Sequence, residues 1–385
     1  MRNLFKIILF FISYLLVFFN FTALATDSLN QNDEFESYKK EFDSYKKQIN
    51  DEFGRYVELV NKEFNSFKKE IYKEWGDQLI SDKVRWVEYS SDMKIRSIVD
   101  FEQNKMIVQV KAGSSKVGKK IAEEHVKKIL DKTIADAFKS SKPLVNIEKK
   151  AKEEFNASLS TALPDIKVIG VKSDKEVDQI LKNGLVKTET NKKGETITSL
   201  TISFKISDRD KALKYKDIVD NYAKLYNIPS SLIYAIIHTE SYFNPMATSP
   251  APAYGLMQIM PSNAGKDAAK VLFGSPLIFL PSFLYNPDNN VKVGSTYFNL
   301  LKESYTREIK NEKSRLYIAI VGYNVGLRNV YKVFSSDGDP RKAFYEINRL
   351  SSEEVYAKIT KNLSQKEGVT YLMRVLERMK FYSDI

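Results

Sequence analysis

Cysteine is absent from the 385-residue chain, and histidine occurs only twice, at His125 and His238. The first absence excludes disulfides, thiolate nucleophiles, thiolate metal sites and a lipid anchor through Cys, so stability must come from packing. The second leaves too few imidazoles for a zinc constellation. His238 sits two positions from Glu240 and therefore on another face of its helix, and surface roles are expected for both histidines. Neither HExxH nor DxDxDG occurs, and SDGDP at 336–340 reads as a turn. No metal and no cofactor are expected. A repeat of fixed period is also missing, which argues against a solenoid.

What is present is enough for two ordinary domains: 43% hydrophobic residues and 28% charged ones. The chain opens with a positive segment holding Arg2 and Lys6, continues with the apolar run IILFFISYLLVFF, and reaches Ala23-Leu24-Ala25. This order predicts a signal peptide over 1–25, cut after Ala25, with an uncleaved anchor as the alternative. Such a leader implies an exported, periplasmic protein. Its net charge of +11 favours polyanions, which outside the cytoplasm are cell-wall polymers or anionic lipid headgroups rather than nucleic acid. Peripheral outer-membrane or cell-wall association fits that charge, although most of the lysine alternates with acids and reads as solvated helix surface.

Residues 26–206 carry two periods. Phe35, Tyr38, Phe42, Tyr45, Ile49, Phe53, Tyr56, Val60, Phe64, Phe67, Ile71 and Trp75 recur at steps of three and four, predicting an amphipathic helix or helical hairpin whose aromatic stripe is core. RSIVDFEQNKMIVQVKA at 96–112 reads as a β-hairpin, and TITSLTISFKI at 196–206 as a strand of the same sheet. Helices are expected near 117–140 and 144–158, with a polar connection over 172–195. An α+β N-terminal domain results. From 207 to 385 strand alternation stops and helical segments punctuated by Pro, Gly and Asn take over, so this part is expected to be all-α.

Within it, Ser230 after Pro229 is a candidate N-cap, and SLIYAIIHTES places Ile233, Ile236, Ile237 and Glu240 at i, i+3, i+4 and i+7. Glu240 therefore lies on the buried stripe, where desolvation raises its proton affinity and suits it to general acid work. Asn244-Pro245 ends the helix and leaves Glu240 in its last turn. Gly255-Leu256-Met257-Gln258 comes next as a constrained turn, Tyr323-Asn324 precedes a glycine cap at Gly326, and Tyr371 lies on the apolar face of EGVTYLMRVLERM. Ser, Gln, Tyr and Asn around one Glu suit a neutral, hydroxyl-rich ligand such as a sugar. Asp267 reads as a helix-start charge rather than a second acid.

These residues carry a resemblance. Glu240-Ser241 with Phe243-Asn244-Pro245, then GLMQIMP, Tyr323-Asn324 with Gly326, and Tyr371 resemble the motifs of the lysozyme-like soluble lytic transglycosylase (SLT) domain over 207–385. NAGKDAAKVLFG, YNPDNNVKVGSTYF and WVEYSSDMKIRSIVDFEQNKMIVQV are similar to the membrane-bound lytic murein transglycosylase C type. The resemblance implies a lyase on peptidoglycan glycan strands, acting at the MurNAc-GlcNAc β-1,4 bond and forming 1,6-anhydromuramic acid in wall remodelling or turnover. It implies Glu240 as the catalytic acid and base, with Ser241, Met257, Gln258, Tyr323, Asn324 and Tyr371 binding substrate. One carboxylate suffices because the N-acetyl group of the substrate supplies the nucleophile. A lysozyme-type hydrolase and a non-catalytic peptidoglycan-binding protein are the alternatives. Gly322 replaces the family's usual Ala before Tyr-Asn, which is expected only to soften the helix end.

Overall fold

Side chains three and four apart wind the first element, and it is one helix, Ser28–Trp75, rather than a hairpin. The computed structural model describes residues 28–156, 158–170, 174–191 and 193–385. The leader 1–25, its cleavage site and the anchor alternative lie outside the described residues, as do the side chains of Phe35 and Tyr38. The helix runs through Gly54 without a break. Its aromatic stripe is core only from Phe53 onward, at Phe53, Tyr56, Val60, Ile71 and Trp75, whereas Phe42 and Tyr45 are exposed. The portion before Phe53 belongs to a separate unit, and Phe53–Ile385 forms the main one. Among the described residues no helix is long and apolar enough to cross a membrane.

After the helix the main unit continues with an antiparallel sheet. β1 (Arg85–Tyr89), β2 (Ile95–Asp100) and β3 (Lys105–Lys111) form a meander, then come β4 (Ser158–Leu159), β5 (Leu185–Thr190) and β6 (Thr196–Ser203). The five-stranded order is β1-β2-β3-β6-β5, with Ile98 opposite Ile107 and Val108 opposite Leu200. Both the expected hairpin and the expected strand are there. The polar connection expected over 172–195 instead contains a helix, Asp174–Lys182, and the strand β5, every residue of which is exposed. An edge strand this polar has no alternating apolar signal to betray it.

Each face of the sheet is covered. The helix Ser115–Asp131 lays Ala122, Val126 and Ile129 against Met106, Val108 and Leu200. A Cβ on its Gly118 would meet Thr198 Oγ1 at 2.5 Å, so this helix approaches closer than any larger residue allows. Ile71 and Trp75 close the opposite face against Tyr89 and Ile197. There Arg96 is 7% exposed, sits 4.4 Å over the Trp75 ring, donates to both oxygens of Asp77 at 2.7 and 2.8 Å, and donates twice to Gln109 Oε1. Lys111 is equally enclosed, pairing with Glu195 at 3.2 Å.

Beyond the sheet the chain is helical, as expected, with one small exception: β4 pairs in parallel with β7 (Ile278–Phe279). Buried Glu148 reinforces that junction by accepting from the amide and hydroxyl of Ser282, at 3.2 and 2.6 Å. Two of these helical stretches are interrupted: Asp208–Leu213 breaks before Lys216–Tyr226, and a π-turn Pro261–Gly265 precedes Lys266–Phe273. Lys366–Phe381 packs along Ser230–Ser241, and the helix Glu312–Val325 packs on Lys366–Phe381 in turn. These three helices carry most of the candidate site.

Candidate active site

Glu240 owes its place to how its helix ends. Ser230–Ser241 starts without a side-chain cap; Pro229 holds the cap position and the Ser230 hydroxyl donates to Asp220 Oδ1 at 3.2 Å instead. At the other end Tyr242 and Phe243 are both left-handed, with φ of 52° and 63°. Two consecutive non-glycine residues in that region cost about 1–3 kcal/mol each. Asn244 holds them there: its amide donates to Ser241 O at 2.9 Å, and its Oδ1 accepts from the Met246 amide at 3.0 Å. Tyr242 also donates to Glu102 in the β2–β3 turn at 2.7 Å.

The Glu240 side chain is 5% exposed. Among the described residues its one full polar contact is the Lys83 ammonium, 3.2 Å away and delivered from the turn before β1. The Tyr371 hydroxyl approaches the carboxyl without closing a complete hydrogen bond. Burial pushes the Glu240 carboxyl above the ordinary carboxylate range; Lys83 and Tyr371 pull it down, and exposed Glu367 adds a small upward push. Burial dominates, so the acid is more basic than a surface Glu. Burial and the nearby Glu240 charge likewise raise Tyr371 and Tyr323, and both remain neutral phenols.

The Gly255–Gln258 turn is built around one amide. Asn290, fully buried on the helix Pro287–Asn299, accepts from the Met257 amide at 2.8 Å and donates to Tyr254 O and Leu284 O at 2.8 and 2.7 Å. Gly255, at φ 74°, leaves the room this requires, since a Cβ there would lie 2.4 Å from Asn290 Nδ2. Tyr323 completes the clamp by donating to Met257 O at 2.9 Å. Gln258 is left-handed at φ 48°, which confirms a constrained turn; its Nε2 reaches Gly255 O at 3.1 Å. Its Oε1 has no partner, and neither does Asn324 Oδ1.

The structure thus brings Glu240, Tyr371 and Tyr323 together and turns two sequence-nominated residues inward. Ser241 is fully buried, with its hydroxyl shared between Ile237 O at 3.0 Å and Leu256 O at 2.7 Å. Met257 is also fully buried, its Sδ against Gly294, where a Cβ would sit 2.4 Å from it. Gly322 does more than soften its helix: a Cβ there would meet Leu327 Cδ2 at 2.5 Å, so the glycine admits the next helix. Gly326 caps as expected, its amide donating to Gly322 O at 2.9 Å.

His238 departs from its expected surface role. It is buried among Tyr242, Phe243 and Tyr382, with Nδ1 2.9 Å from the Tyr382 hydroxyl, and burial lowers its pKa to about 4. His125, half-buried, is pushed down to about 4 by burial and by Lys128 and Lys132. Asp267 lies in the first turn of its helix and pairs with Lys270 at 3.1 Å. Among the described residues no group of three or more His, Asp or Glu is arranged to hold a metal ion. The pattern of the sequence missed Lys83 and Asn290. Asn290 lay within YNPDNNVKVGSTYF, a segment already similar to the family, whereas nothing local marks Lys83.

Residues 217–345 match the Transglycosylase SLT domain family. The chain is 32% identical over 321 residues to membrane-bound lytic murein transglycosylase C of Edwardsiella ictaluri, covering 81% of this chain and 86% of the relative. It belongs to the lytic murein transglycosylase family. The protein of the same name from Haemophilus ducreyi is 30% identical over 320 residues, covering 81% of this chain and 83% of the relative. That of Pectobacterium atrosepticum is 39% identical over 189 residues, covering 48% and 52% of the two chains. Among solved lytic transglycosylases, the 70 kDa soluble enzyme of Escherichia coli aligns at 25% identity with a TM-score of 0.34, over 44% of this chain and 24% of that one. Family membership agrees with the α+β part followed by an all-α, lysozyme-like part.

Proposed function

We propose that this lytic transglycosylase cleaves the β-1,4 bond between N-acetylmuramic acid and N-acetylglucosamine in peptidoglycan, with Glu240 as its acid and then its base. The supporting observation is a single carboxyl, buried at a helix end, whose proton affinity burial raises. Glu240 gives its proton to the glycosidic oxygen as the C1–O bond breaks, and the oxygen of the substrate's acetamido group closes on C1 to form an oxazolinium. The Glu240 carboxylate then takes the proton of the C6 hydroxyl, whose oxygen displaces the acetamido oxygen and closes the 1,6-anhydro ring. Atoms balance without water entering the product.

Tyr371 and Tyr323, neutral phenols beside the acid, are proposed to turn hydroxyl lone pairs toward the positive charge that develops on the sugar, Tyr323 while its own proton stays on Met257 O. Gln258 and Asn324, each with an unbonded amide oxygen, are proposed to accept from glycan hydroxyls or amides. Ser241 and Met257 act from beneath, Ser241 by tying the Glu240 helix to Leu256 O and Met257 through its backbone clamp. The change of pattern at 207 supports reading 26–206 as a domain that serves the cleft and 207–385 as the catalytic one. The basic charge and the leader expected over 1–25 support action in the periplasm.

Mass spectrometry of fragments released from purified sacculi by residues 26–385 tests this reading. Anhydro products from the wild type, reduced about 10²–10⁴-fold in Glu240→Gln, are expected. Reducing-end products would make the chain a muramidase, and no release by the wild type would make it a glycan-binding protein.

A further inference from the structure

The turn that carries Lys83 is built as a fixture rather than as a loose loop. Asp82 Oδ1 accepts from the amides of Val84 and Arg85 at 2.9 and 2.7 Å, closing an Asx turn, and its Oδ2 accepts from the Arg85 side chain at 2.7 Å. The Asp82 amide donates to Arg85 O at 2.9 Å. Both neighbouring carbonyls then meet the segment just after the Glu240 helix: Asp82 O accepts from the Thr248 amide at 3.3 Å, and Lys83 O faces Asn244 Nδ2 at 3.5 Å. Val84 O accepts from the Phe101 amide at 3.0 Å, anchoring the turn to the sheet. Lys83 is the residue at the tip of this clamp, and its ammonium ends on Glu240 Oε2.

We propose that Lys83 is a positioning residue for the reaction, a cation supplied by the N-terminal part of the chain that orients the Glu240 carboxyl and stabilises it each time it becomes a carboxylate. The inference rests on the reading of Glu240 as the general acid and base. In the first half of the reaction Glu240 loses its proton in a site that disfavours the anion; in the second half that anion must persist until the C6 hydroxyl arrives. A fixed ammonium at 3.2 Å opposes the desolvation in both steps. The other groups that act on the Glu240 carboxyl cannot substitute: Tyr371 and Tyr323 are neutral, and Glu367 has the wrong sign; Arg378, the cation near Tyr371, is engaged with Thr239 at 2.9 Å and stacked 4.9 Å from the Tyr242 ring.

Lys83 is 41% exposed, so replacing it spares the core. The test compares the wild type, Lys83→Met, which keeps the apolar stem, and Lys83→Arg, which restores the charge, with Glu240→Gln as a reference. The readouts are kcat/KM for anhydro-product release across pH and the 13C titration of the Glu240 carboxyl in the free protein. The expected result for Lys83→Met is a plateau lower by about threefold to tenfold, the size of a partly buried charge-assisted contact. Its alkaline limb moves to higher pH, because the acid then holds its proton longer. Lys83→Arg returns the limb toward the wild type. A limb that stays put in Lys83→Met, or an unchanged 13C titration, overturns the inference. Failure of the wild type to release anhydro products would instead count against the proposed function, and the titration would still decide whether Lys83 governs the Glu240 proton.

Discussion

Arg96 in the sheet and Glu240 in the cleft are both buried charges, 7% and 5% exposed, and they are treated in opposite ways. Arg96 spends its guanidinium on two carboxylate oxygens and an amide and lays its plane over Trp75. Glu240 has one ammonium at its edge and a tyrosine that stops short of a hydrogen bond. A buried charge with every valence filled is inert and fastens structure; one left partly unfilled keeps affinity in reserve for a ligand or a proton. The scaffold around the cleft obeys the first rule, as the three hydrogen bonds of Asn290 show, and the cleft itself obeys the second.

That contrast can be broken by substitution. The largest effect is expected from Asn290→Ala, which strands the Met257 amide and two carbonyls in the interior: about 3–5 kcal/mol of stability lost in denaturant unfolding, with activity falling as well because the Gly255–Gln258 turn loosens. Arg96→Leu should cost about 2–3 kcal/mol, since it strips Asp77 and Gln109 of their donor, yet leave release per folded molecule unchanged. A loss of activity there would erase the division between fastened and reactive charge. Smallest, and of opposite sign, is Glu240→Gln, expected to gain about 1 kcal/mol at neutral pH by removing a poorly solvated acid. Linkage sets the sign: the folded protein holds the Glu240 proton above the pH at which the unfolded chain releases it near 4.5. Wild-type stability therefore falls as pH rises through that window, and the advantage of Glu240→Gln in thermal melts should be absent below about pH 4.5 and grow above it.

Which parts of this could be read from the sequence depends on range. The 96–112 hairpin has alternating β-branched residues around a polar turn, and the Glu240 helix repeats its isoleucines at helical spacing, so local pattern alone specifies both. The strand β5, Leu185–Thr190, alternates charge with threonine at a sheet edge and offers no apolar period. His238 looked peripheral because spacing assigns it a face but not what lies against that face; Tyr382 does, from the end of the chain. Ser241 and Met257 belong to recognisable motifs, yet their side chains face the interior, because a motif fixes which residues gather and not which of their atoms meet the solvent. Lys83 lies 157 positions from Glu240, and only folding joins them.

The helix Lys366–Phe381, which brings Tyr371 to Glu240 and packs along the Glu240 helix, lies farthest along the chain among the described helices. Residues from the turn before β1 through this helix must all be present before the acid has its surroundings, and the parallel bridge between β4 and β7 likewise waits on Ile278. Contacts of such long sequence separation form late and close slowly. A growing or truncated chain that ends before Lys366 would hold Glu240 without its tyrosine and with one side of its helix open to water. Assembly of the site therefore waits on the docking of Lys366–Phe381, and a chain cut before that helix is expected to lack wall-cutting activity.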